Sequence, residues 1–267
     1  MYTYPLETIS MKFRDYIERN HAFTVDQLAV SCELAPVSVK TTLKRAIEAG
    51  QIERVRRGAY VSKIGRYSDA VIDSFELVSA LDCKAVFSFH SALEVFGVAH
   101  NVSGICQFRS DSVRTSFTYS GVRYRPYPSV PGIQMQSVRS WAGLYILTTT
   151  KEQTIVDCLE HPDRAGGLEE VLMSVSLFPY VDAESLARMV SGKSASIAAR
   201  VGWLLEQKQR DWNVSPETLS SLESMASGGP VRLEKDSRHS NGWSSRWQLC
   251  LPELEEEIIG WIACDVQ

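Results

Sequence analysis

Apolar positions near the start of the chain follow a helical period. A spacing of three to four residues predicts a first helix with an apolar face at Leu6, Ile9, Phe13 and Ile17. The next segment, VDQLAVS, follows Thr24, whose side-chain oxygen is placed to accept from the first free N–H groups of a helix. The sequence therefore predicts two short helices before Pro36.

A third helix is predicted from Pro36 to about Ala49. Proline suits the first turn of a helix, where its missing N–H has no partner to lose. Gly50 supplies a C-terminal stop, because glycine readily adopts the left-handed conformation that ends many helices. One side of this helix is predicted to face the core through Val39, Leu43 and Ile47.

The apolar period then changes from that of a helix to that of a strand. QIERV and GAYVS alternate on either side of Arg56-Arg57-Gly58, which predicts two short strands joined by a tight turn. Three helices followed by a hairpin are typical of a winged helix-turn-helix. In that plan the third helix enters the major groove of DNA, and the hairpin, or wing, lies along the backbone or the minor groove.

Strands dominate the predicted structure from residue 83 to residue 148. The strand-like segments are AVFSF, GICQFRS, VRTSFTY, VRYRPYP, GIQMQSV and GLYILT. VRTSFTY and VRYRPYP are predicted to form a hairpin across Ser120-Gly121. The segment HSALEVFG predicts a short helix, capped by Ser88 or Ser91 and ended by Gly97.

Helices dominate from residue 150 to residue 227. Thr150 and Gln153 form a capping-box pattern before TIVDCLEH, and Pro162 ends that helix. Further helices are predicted in LEEVLMSVSLF after Gly166-Gly167, in AESLARMVSG after Asp182, in SASIAARVGWLLEQK, and after Ser215. VRLEK and RWQLCLP are predicted to pair as a terminal hairpin within residues 230–252.

These patterns predict an α+β protein of two domains. The first, residues 1–66, is a winged helix-turn-helix, and the second, residues 67–267, is a larger mixed α+β domain. The charge follows the same division: residues 1–66 contain 11 Lys and Arg against 7 Asp and Glu, whereas the remainder contains 17 against 25. A basic head on an acidic body indicates separate roles for the two regions.

The composition favours a cytoplasmic protein. No apolar run approaches the roughly 20 residues that a membrane span needs. The first residues are not those of a secretion signal or a transit peptide. The six cysteines are far apart and form no C-x-x-C motif, which favours reduced, mostly buried thiols.

The basic head supplies the candidate DNA-binding residues. The third helix carries, on the face away from its apolar stripe, Lys40, Thr41, Lys44 and Arg45. The wing carries Arg54, Arg56 and Arg57. Arg and Lys on the helix reach guanine edges or phosphates, and Thr contacts a base or a thymine methyl. Wing arginines neutralise phosphates or enter a narrow minor groove. The alternative is a winged-helix module that binds proteins, in which these charges are only solvated.

Four arginines of the middle region alternate with Phe and Tyr: Arg109, Arg114, Arg123 and Arg125. This composition fits contact with nucleic acid. It also fits the solvated outer face of an amphipathic sheet, which is the interpretation that we favour.

The sequence predicts no catalytic residue, no metal site and no cofactor. No nucleophile-elbow motif surrounds Ser91 beside His90, so a helix-capping role is the simpler interpretation of SFHS. The histidines and cysteines lack the spacing of metal ligands. A DNA-targeted nuclease is the alternative from another class, and the scattered acidic residues argue against it.

The order of motifs resembles the AbiEi-type antitoxins, the regulators of bacterial abortive-infection (type IV) toxin–antitoxin operons. The resemblance covers roughly residues 5–250. It starts with a winged helix that ends in RVRRGAYV. Its most specific parts are S-A-L-x-x-x-G at residues 91–97, T-x-x-x-T-I-V-D at residues 150–157, and the Gly166-Gly167 pair.

The resemblance implies a function beyond what spacing indicates. Such proteins bind inverted repeats in their own promoter through the winged helix, repress the operon, and take part in phage defence. They counter a toxin that resembles a nucleotidyltransferase, without a stable complex. By position, the third-helix and wing residues named above become the DNA readers, while SALEVFG and TIVDCL become scaffold. The acidic balance of the body argues against a DNA role there. The alternative is a winged-helix regulator that is not linked to a toxin.

Overall fold

The computed structural model describes residues 11–140, 143–226, 228–235 and 240–263. Its first elements are α1 (Phe13–Arg19), β1 (Ala22–Thr24), α2 (Val25–Ser31), α3 (Pro36–Glu48), β2 (Ile52–Arg56), β3 (Ala59–Ser62) and α4 (Ser74–Leu81). The three predicted helices and the hairpin are therefore confirmed. Leu6 and Ile9, which were assigned to the first helix, lie outside the described residues.

Local capping starts and stops these helices as predicted. The Thr24 side chain accepts from the Gln27 backbone N–H, and the Gln27 side chain accepts from the Thr24 N–H, which completes a capping box for α2. Helix α3 starts at Pro36, and Gly50 follows its end with a φ of +66°. Such a conformation costs glycine little and other residues more.

The prediction that Ile47 faces the core was wrong. Val39 and Leu43 are buried, but Ile47 is 42% exposed, and Ala46 is the third buried residue of α3. The reason is geometric: at 100° per residue, Ala46 lies about 20° from Val39 around the helix, whereas Ile47 lies about 80° away.

The wing has one strand more than predicted. Strand β3 is the centre of a sheet of order β1-β3-β2 and is antiparallel to both neighbours. The three residues of β1 are too few to show an alternating pattern in the sequence. Gly58 closes the β2–β3 turn with a φ of +80°, and a bulge lies between Arg54 and Arg56.

The middle of the chain contains strands and one helix. They are β4 (Val86–Phe87), α5 (His90–Phe96), β5 (Ile105–Arg109), β6 (Phe117–Tyr119), β7 (Val122–Tyr127), β8 (Met135–Arg139) and β9 (Tyr145–Thr149). The β6–β7 hairpin across Ser120-Gly121 is confirmed, and both turn residues have positive φ. Strand β4 pairs antiparallel with β5 and parallel with β9. Helix α4, capped by Asp73, was not predicted.

The predicted cap of α5 was wrong. The N-cap position is Phe89, with a φ of +57° and no side-chain cap. Ser88 instead donates to the Val86 carbonyl, and the Ser91 hydroxyl, inside the helix, accepts from the Gln107 N–H. Both hydroxyls therefore bond to backbone groups outside the first turn of α5 and do not cap the helix. Gly97 ends the helix as predicted, with a φ of +71°.

The predicted helical section is confirmed. It contains α6 (Lys151–Glu160), α7 (Leu168–Ser176), α8 (Ala183–Val190), α9 (Ala195–Gln207) and α10 (Pro216–Met225). Thr150, Asp182 and Ser215 each accept from a backbone N–H in the first turn of the helix that follows. At Thr150 only this half of the predicted capping box is present, because the Gln153 side chain bonds elsewhere.

The C-terminal strands pair differently from the prediction. They are β10 (Val231–Arg232), β11 (Gly242–Ser244) and β12 (Leu249–Leu251), followed by α11 (Glu255–Ile262), which was not predicted. The segments VRLEK and RWQLCLP do pair, but in parallel, so they do not form a hairpin. The antiparallel partner of β12 is β11, whose GWS sequence carries little strand signal.

The chain divides into two compact units. The first comprises the chain up to Ala85 with Ser110–Pro126 and Arg139–Ile146; the second comprises Val86–Arg109, Tyr127–Val138 and the chain from Leu147. The first has a core cluster that includes Phe23, Leu28 and Leu43, and the core of the second includes the fully buried Trp203 and Trp247. The predicted boundary at residues 66 and 67 stays a prediction.

No disulfide bond joins the cysteines within the described residues, and Cys32, Cys106 and Cys158 are buried. Cys264 lies outside the described residues. Within the parts of the chain that the structure describes, no helix combines the length and the apolar character that crossing a membrane requires.

Candidate nucleic-acid interface

The candidate interface starts with the outward face of α3, in the first unit. Because Val39, Leu43 and Ala46 turn one side of this helix into the core, the opposite side is left in solvent. That side carries the four predicted residues, all exposed: Lys40, Thr41, Lys44 and Arg45. The structure thus places the predicted α3 residues together on one accessible surface.

Few protein groups compensate the charges on this face. Lys44 Nζ lies 3.8 Å from Glu48 Oε1, and both side chains are more than half exposed, so solvent screens the pair. Lys40 and Arg45 form no ion pair with any residue that the structure describes. The Thr41 hydroxyl donates to the Val37 carbonyl at 3.2 Å, which leaves its methyl group and its acceptor capacity free.

Sequence reasoning missed Val37 at the start of α3. Its side chain is 79% exposed, although valine usually packs inside. It lies one turn before Thr41, near the N-terminal end that enters the groove in helix-turn-helix proteins. The sequence does contain a signal for Val37, because it is an apolar residue outside the Val39/Leu43 stripe. An apolar side chain at an exposed position of this helix suits contact with a thymine methyl.

Two of the three wing arginines are exposed. Arg54 Nε donates to the Arg56 carbonyl at 3.3 Å, across the bulge of β2, while the rest of its guanidinium faces solvent. Arg57 lies in the turn beside Gly58 and forms no ion pair with any described residue. Both side chains are accessible to a large anionic partner.

Arg56 is held differently from its two neighbours. Its guanidinium carbon lies 5.3 Å from the centroid of the Phe117 ring, and Nη2 lies 3.4 Å from Thr115 Oγ1. The Phe117 ring in turn stacks on Tyr124 with a centroid distance of 4.6 Å. Arg56 Nη1 is buried. The Arg56 side chain therefore joins the wing to the β6–β7 hairpin.

A second contact between these two hairpins involves Glu53. The Tyr119 hydroxyl donates to Glu53 Oε2 at 3.1 Å, and Lys63 Nζ lies 3.8 Å from the same oxygen. Burial, and then the negative charge of Glu53, raises the pKa of Tyr119, so the phenol stays protonated and keeps donating. The β6–β7 hairpin therefore supports the wing from within the first unit.

The four arginines of the middle region have different surroundings. Arg109 is buried, and its Nη2 lies 2.9 Å from Asp157 Oδ2, so it is not part of a solvated sheet face. Arg114 and Arg123 are exposed, and Arg125 is partly buried. Arg123 lies opposite Thr118 in the hairpin register, and Thr118 stands between Phe117 and Tyr119 in its strand. It therefore points to the hairpin face away from those two rings.

His90 belongs to a buried ionic cluster of the second unit. Its Nε2 lies 3.1 Å from Glu170 Oε1, and its Nδ1 lies 3.4 Å from Glu94 Oε1. Burial disfavours the charged ring, but the carboxylates of Glu94 and Glu170 outweigh burial and raise the pKa of His90. Burial alone would raise the pKa of Glu170, yet hydrogen bonds from Asn101, Ser174 and His90 lower it. The arrangement joins α5 to α7.

The described residues contain no group of three or more His, Cys, Asp or Glu side chains arranged to hold a metal ion. In the ionic cluster around His90, Nε2 bonds to Glu170, Nδ1 is buried with only the 3.4 Å ionic contact to Glu94, and Ser91 bonds to backbone. These contacts fit packing between α5, α7 and β5.

Comparisons with known proteins give the following similarities. Residues 12–63 match the family model described as a transcriptional regulator, AbiEi antitoxin, and residues 84–207 match the model of the AbiEi antitoxin C-terminal domain. The chain also resembles the crystal structure of the RV2827C protein from Mycobacterium tuberculosis, with a TM-score of 0.62, 15% identity, and coverage of 93% of this chain and 92% of that chain. That likeness shows the fold alone. Curated protein sequences give no match.

Proposed function

This chain belongs to the AbiEi antitoxin family of transcriptional regulators, and from that premise we propose that it is a sequence-specific DNA-binding antitoxin. It binds inverted repeats in its own promoter, represses its operon, and acts in the cytoplasm without enzymatic activity. In phage defence it counters a nucleotidyltransferase-like toxin without forming a stable complex with it.

The observation that carries the DNA-binding proposal is the exposed face of α3. Lys40, Thr41, Lys44 and Arg45 share that face, and apart from the exposed Lys44–Glu48 pair, no described carboxylate pairs with its cations. A surface of this kind supplies the phosphate contacts that give affinity and the donors that read guanine in the major groove.

The two elements of the interface have different roles in this proposal. Helix α3 reads bases through Lys44 and Arg45, with Val37 and Thr41 placed for thymine methyl groups. On the wing, the exposed Arg54 and Arg57 contact phosphates or the minor groove. Arg56 contributes mainly by holding the wing against Phe117.

A gel-shift titration with a duplex that contains the promoter tests the proposal. The double variant Lys40→Ala/Lys44→Ala is expected to bind at least about tenfold more weakly, since each lost phosphate or base contact weakens binding. Arg188→Ala is the matched control, because this arginine is also exposed but lies in the second unit. Equal affinity of the double variant and the wild type contradicts the proposal.

The same titration separates the alternatives. A winged helix that binds only proteins leaves every duplex unshifted. A DNA-targeted nuclease degrades the probe when Mg²⁺ is added. The proposal requires a shifted and intact probe.

A further inference from the structure

A cavity of about 570 Å³ lies within the second unit, whereas the residues assigned to DNA belong to the first unit. Its volume is in the range of small-ligand sites. Part of its wall comes from the segment T-x-x-x-T-I-V-D, which supplies Gln153 and Asp157. Asp157, the acidic residue of this motif, and Gln153, at one of its variable positions, therefore border an open cavity.

The charges around the cavity leave one cation unpaired. Arg109 is paired with Asp157 at 2.9 Å, and Lys193 Nζ with Glu160 Oε2 at 3.0 Å. Arg164, the third cation of the wall, forms no ion pair and donates no side-chain hydrogen bond to any residue that the structure describes. The positive charge that remains is therefore located at Arg164.

Aromatic rings hold the Arg164 guanidinium in place. Its central carbon lies 4.8 Å from the centroid of the Tyr127 ring and 5.2 Å from that of Phe89. Both distances are within the range of cation–π contacts, and no described residue accepts a hydrogen bond from the guanidinium N–H groups. Such a planar fork donates two parallel hydrogen bonds to a phosphate at little further entropic cost.

The rest of the cavity wall suits the apolar part of a small organic molecule. Apolar side chains are contributed by Val130, Pro131, Ile133 and Met189. Gln134 adds an amide that is able to donate and accept. Burial, and then the charge of Arg164, lowers the pKa of His161, so this ring adds no charge at neutral pH.

We propose that this cavity binds a nucleoside monophosphate. Arg164 binds the phosphate, the apolar side chains pack against the nucleobase, and the amide of Gln134 bonds to the edge of that base. The second unit thereby has a small-molecule site, independent of the DNA-binding face of α3.

Isothermal titration calorimetry of the full chain with AMP, GMP, CMP and UMP tests this site. At least one nucleotide is expected to bind at submillimolar to millimolar concentration, more tightly than inorganic phosphate or its own nucleoside. Failure of all four to bind at millimolar concentration overturns the proposal. Inorganic phosphate binding as tightly as the nucleotides refutes the role given to the nucleobase.

Two variants test the role of charge, and they move affinity in opposite directions. Arg164→Gln keeps a planar group over the rings but removes the cation, and should weaken binding by at least about tenfold. Glu160→Gln removes the partner of Lys193 and makes the cavity more positive, and should tighten binding about threefold. Arg188→Gln, an exposed arginine of the same unit, should leave binding unchanged.

General damage to the fold does not produce a tighter site, so the Glu160→Gln result separates electrostatics from destabilisation. Unchanged affinity in Arg164→Gln overturns the assignment of the phosphate. Promoter binding by the same variants is measured separately, so failure of the nucleotide site is distinguishable from failure of the DNA-binding proposal.

Discussion

Arg56 and Phe117 lie in direct contact: the guanidinium carbon is 5.3 Å from the centroid of the ring. The contact joins the wing to a hairpin far along the chain, and Thr115 accepts a hydrogen bond from the same guanidinium. A residue that sequence reasoning treats as one of three equivalent arginines is therefore half-buried, while Arg54 and Arg57 remain exposed. The wing is a supported element, and its arginines are not interchangeable.

Arg57→Ala is expected to make promoter binding less sensitive to salt. Each phosphate contact releases condensed counterions, so losing one reduces the slope of log K against log salt concentration by about 0.9. Arg56→Ala should lower affinity with a smaller change in slope, because Arg56 acts by positioning the wing. Fluorescence anisotropy at several salt concentrations measures both.

Phe117→Ala is the control for this distinction, since it removes the support and keeps every arginine. It should behave like Arg56→Ala. If Arg56→Ala changes the slope as much as Arg57→Ala and Phe117→Ala changes nothing, Arg56 contacts phosphate directly.

Substitutions of Lys44 and Arg45 are expected to change which operator variants are preferred. A bidentate contact to guanine discriminates by about 1–3 kcal/mol, so losing it relaxes specificity at one base position. Binding of each variant to a panel of single-base operator mutants measures the effect. Uniform weakening over the whole panel identifies the residue as a phosphate contact instead.

The His90 cluster should make stability depend on pH. Because its folded-state pKa is raised, the protonated ring stabilises the fold fully below the ordinary pKa of about 6.5, and this contribution is lost as pH rises through the folded value. The pKa of Glu170 is lowered, so its contribution is lost only in acid. Urea unfolding should show that His90→Gln costs more stability near pH 6 than near pH 8.

His100 is the matched control for that measurement. Its Nδ1 lies 3.8 Å from Glu170 Oε2, but its side chain is 40% exposed, so the pair is screened. His100→Gln should have a smaller effect. A His90→Gln cost that does not change with pH contradicts the ionic role of the cluster.

Gly202→Ala should destabilise the protein by about 2–3 kcal/mol. Alanine normally stabilises a helix interior relative to glycine. At position 202, however, the new Cβ would overlap the Trp247 ring, which is fully buried, and overpacking of this kind strains a core. Gly260→Ala in α11 is the control: its Cβ meets nothing within 4 Å, so the variant should be as stable as the wild type or up to about 1 kcal/mol more stable. Equal effects of the two changes, measured by urea unfolding, contradict the packing account.

Features that depend on adjacent residues were predictable from the sequence. The caps at Thr24, Asp182 and Ser215 follow from short side chains next to free backbone N–H groups. The turns at Gly58 and Ser120-Gly121 follow from residues that accept positive φ. The helices between residues 150 and 227 and the exposed face of α3 were predicted from local signals of this kind.

Features that depend on contacts distant in sequence were not predictable. The parallel pairing of β10 with β12 leaves no local pattern, and neither does the support of Arg56 by Phe117. Ser91 has a good capping side chain, but its hydroxyl instead accepts from the backbone N–H of Gln107, 16 residues along the chain. In the candidate site, the exposure of most of the named residues was predictable, whereas the exposure of Val37 and the partial burial of Arg56 required the structure.

Competition binding on the protein's own promoter tests the central claim most directly. Purified full-length protein is titrated with a duplex that carries the promoter's inverted repeats, against a scrambled duplex of the same length and composition, at fixed physiological salt. The account predicts that the promoter binds on the order of a thousandfold more tightly, as specific DNA-binding proteins do. Equal affinity for the two duplexes would contradict it.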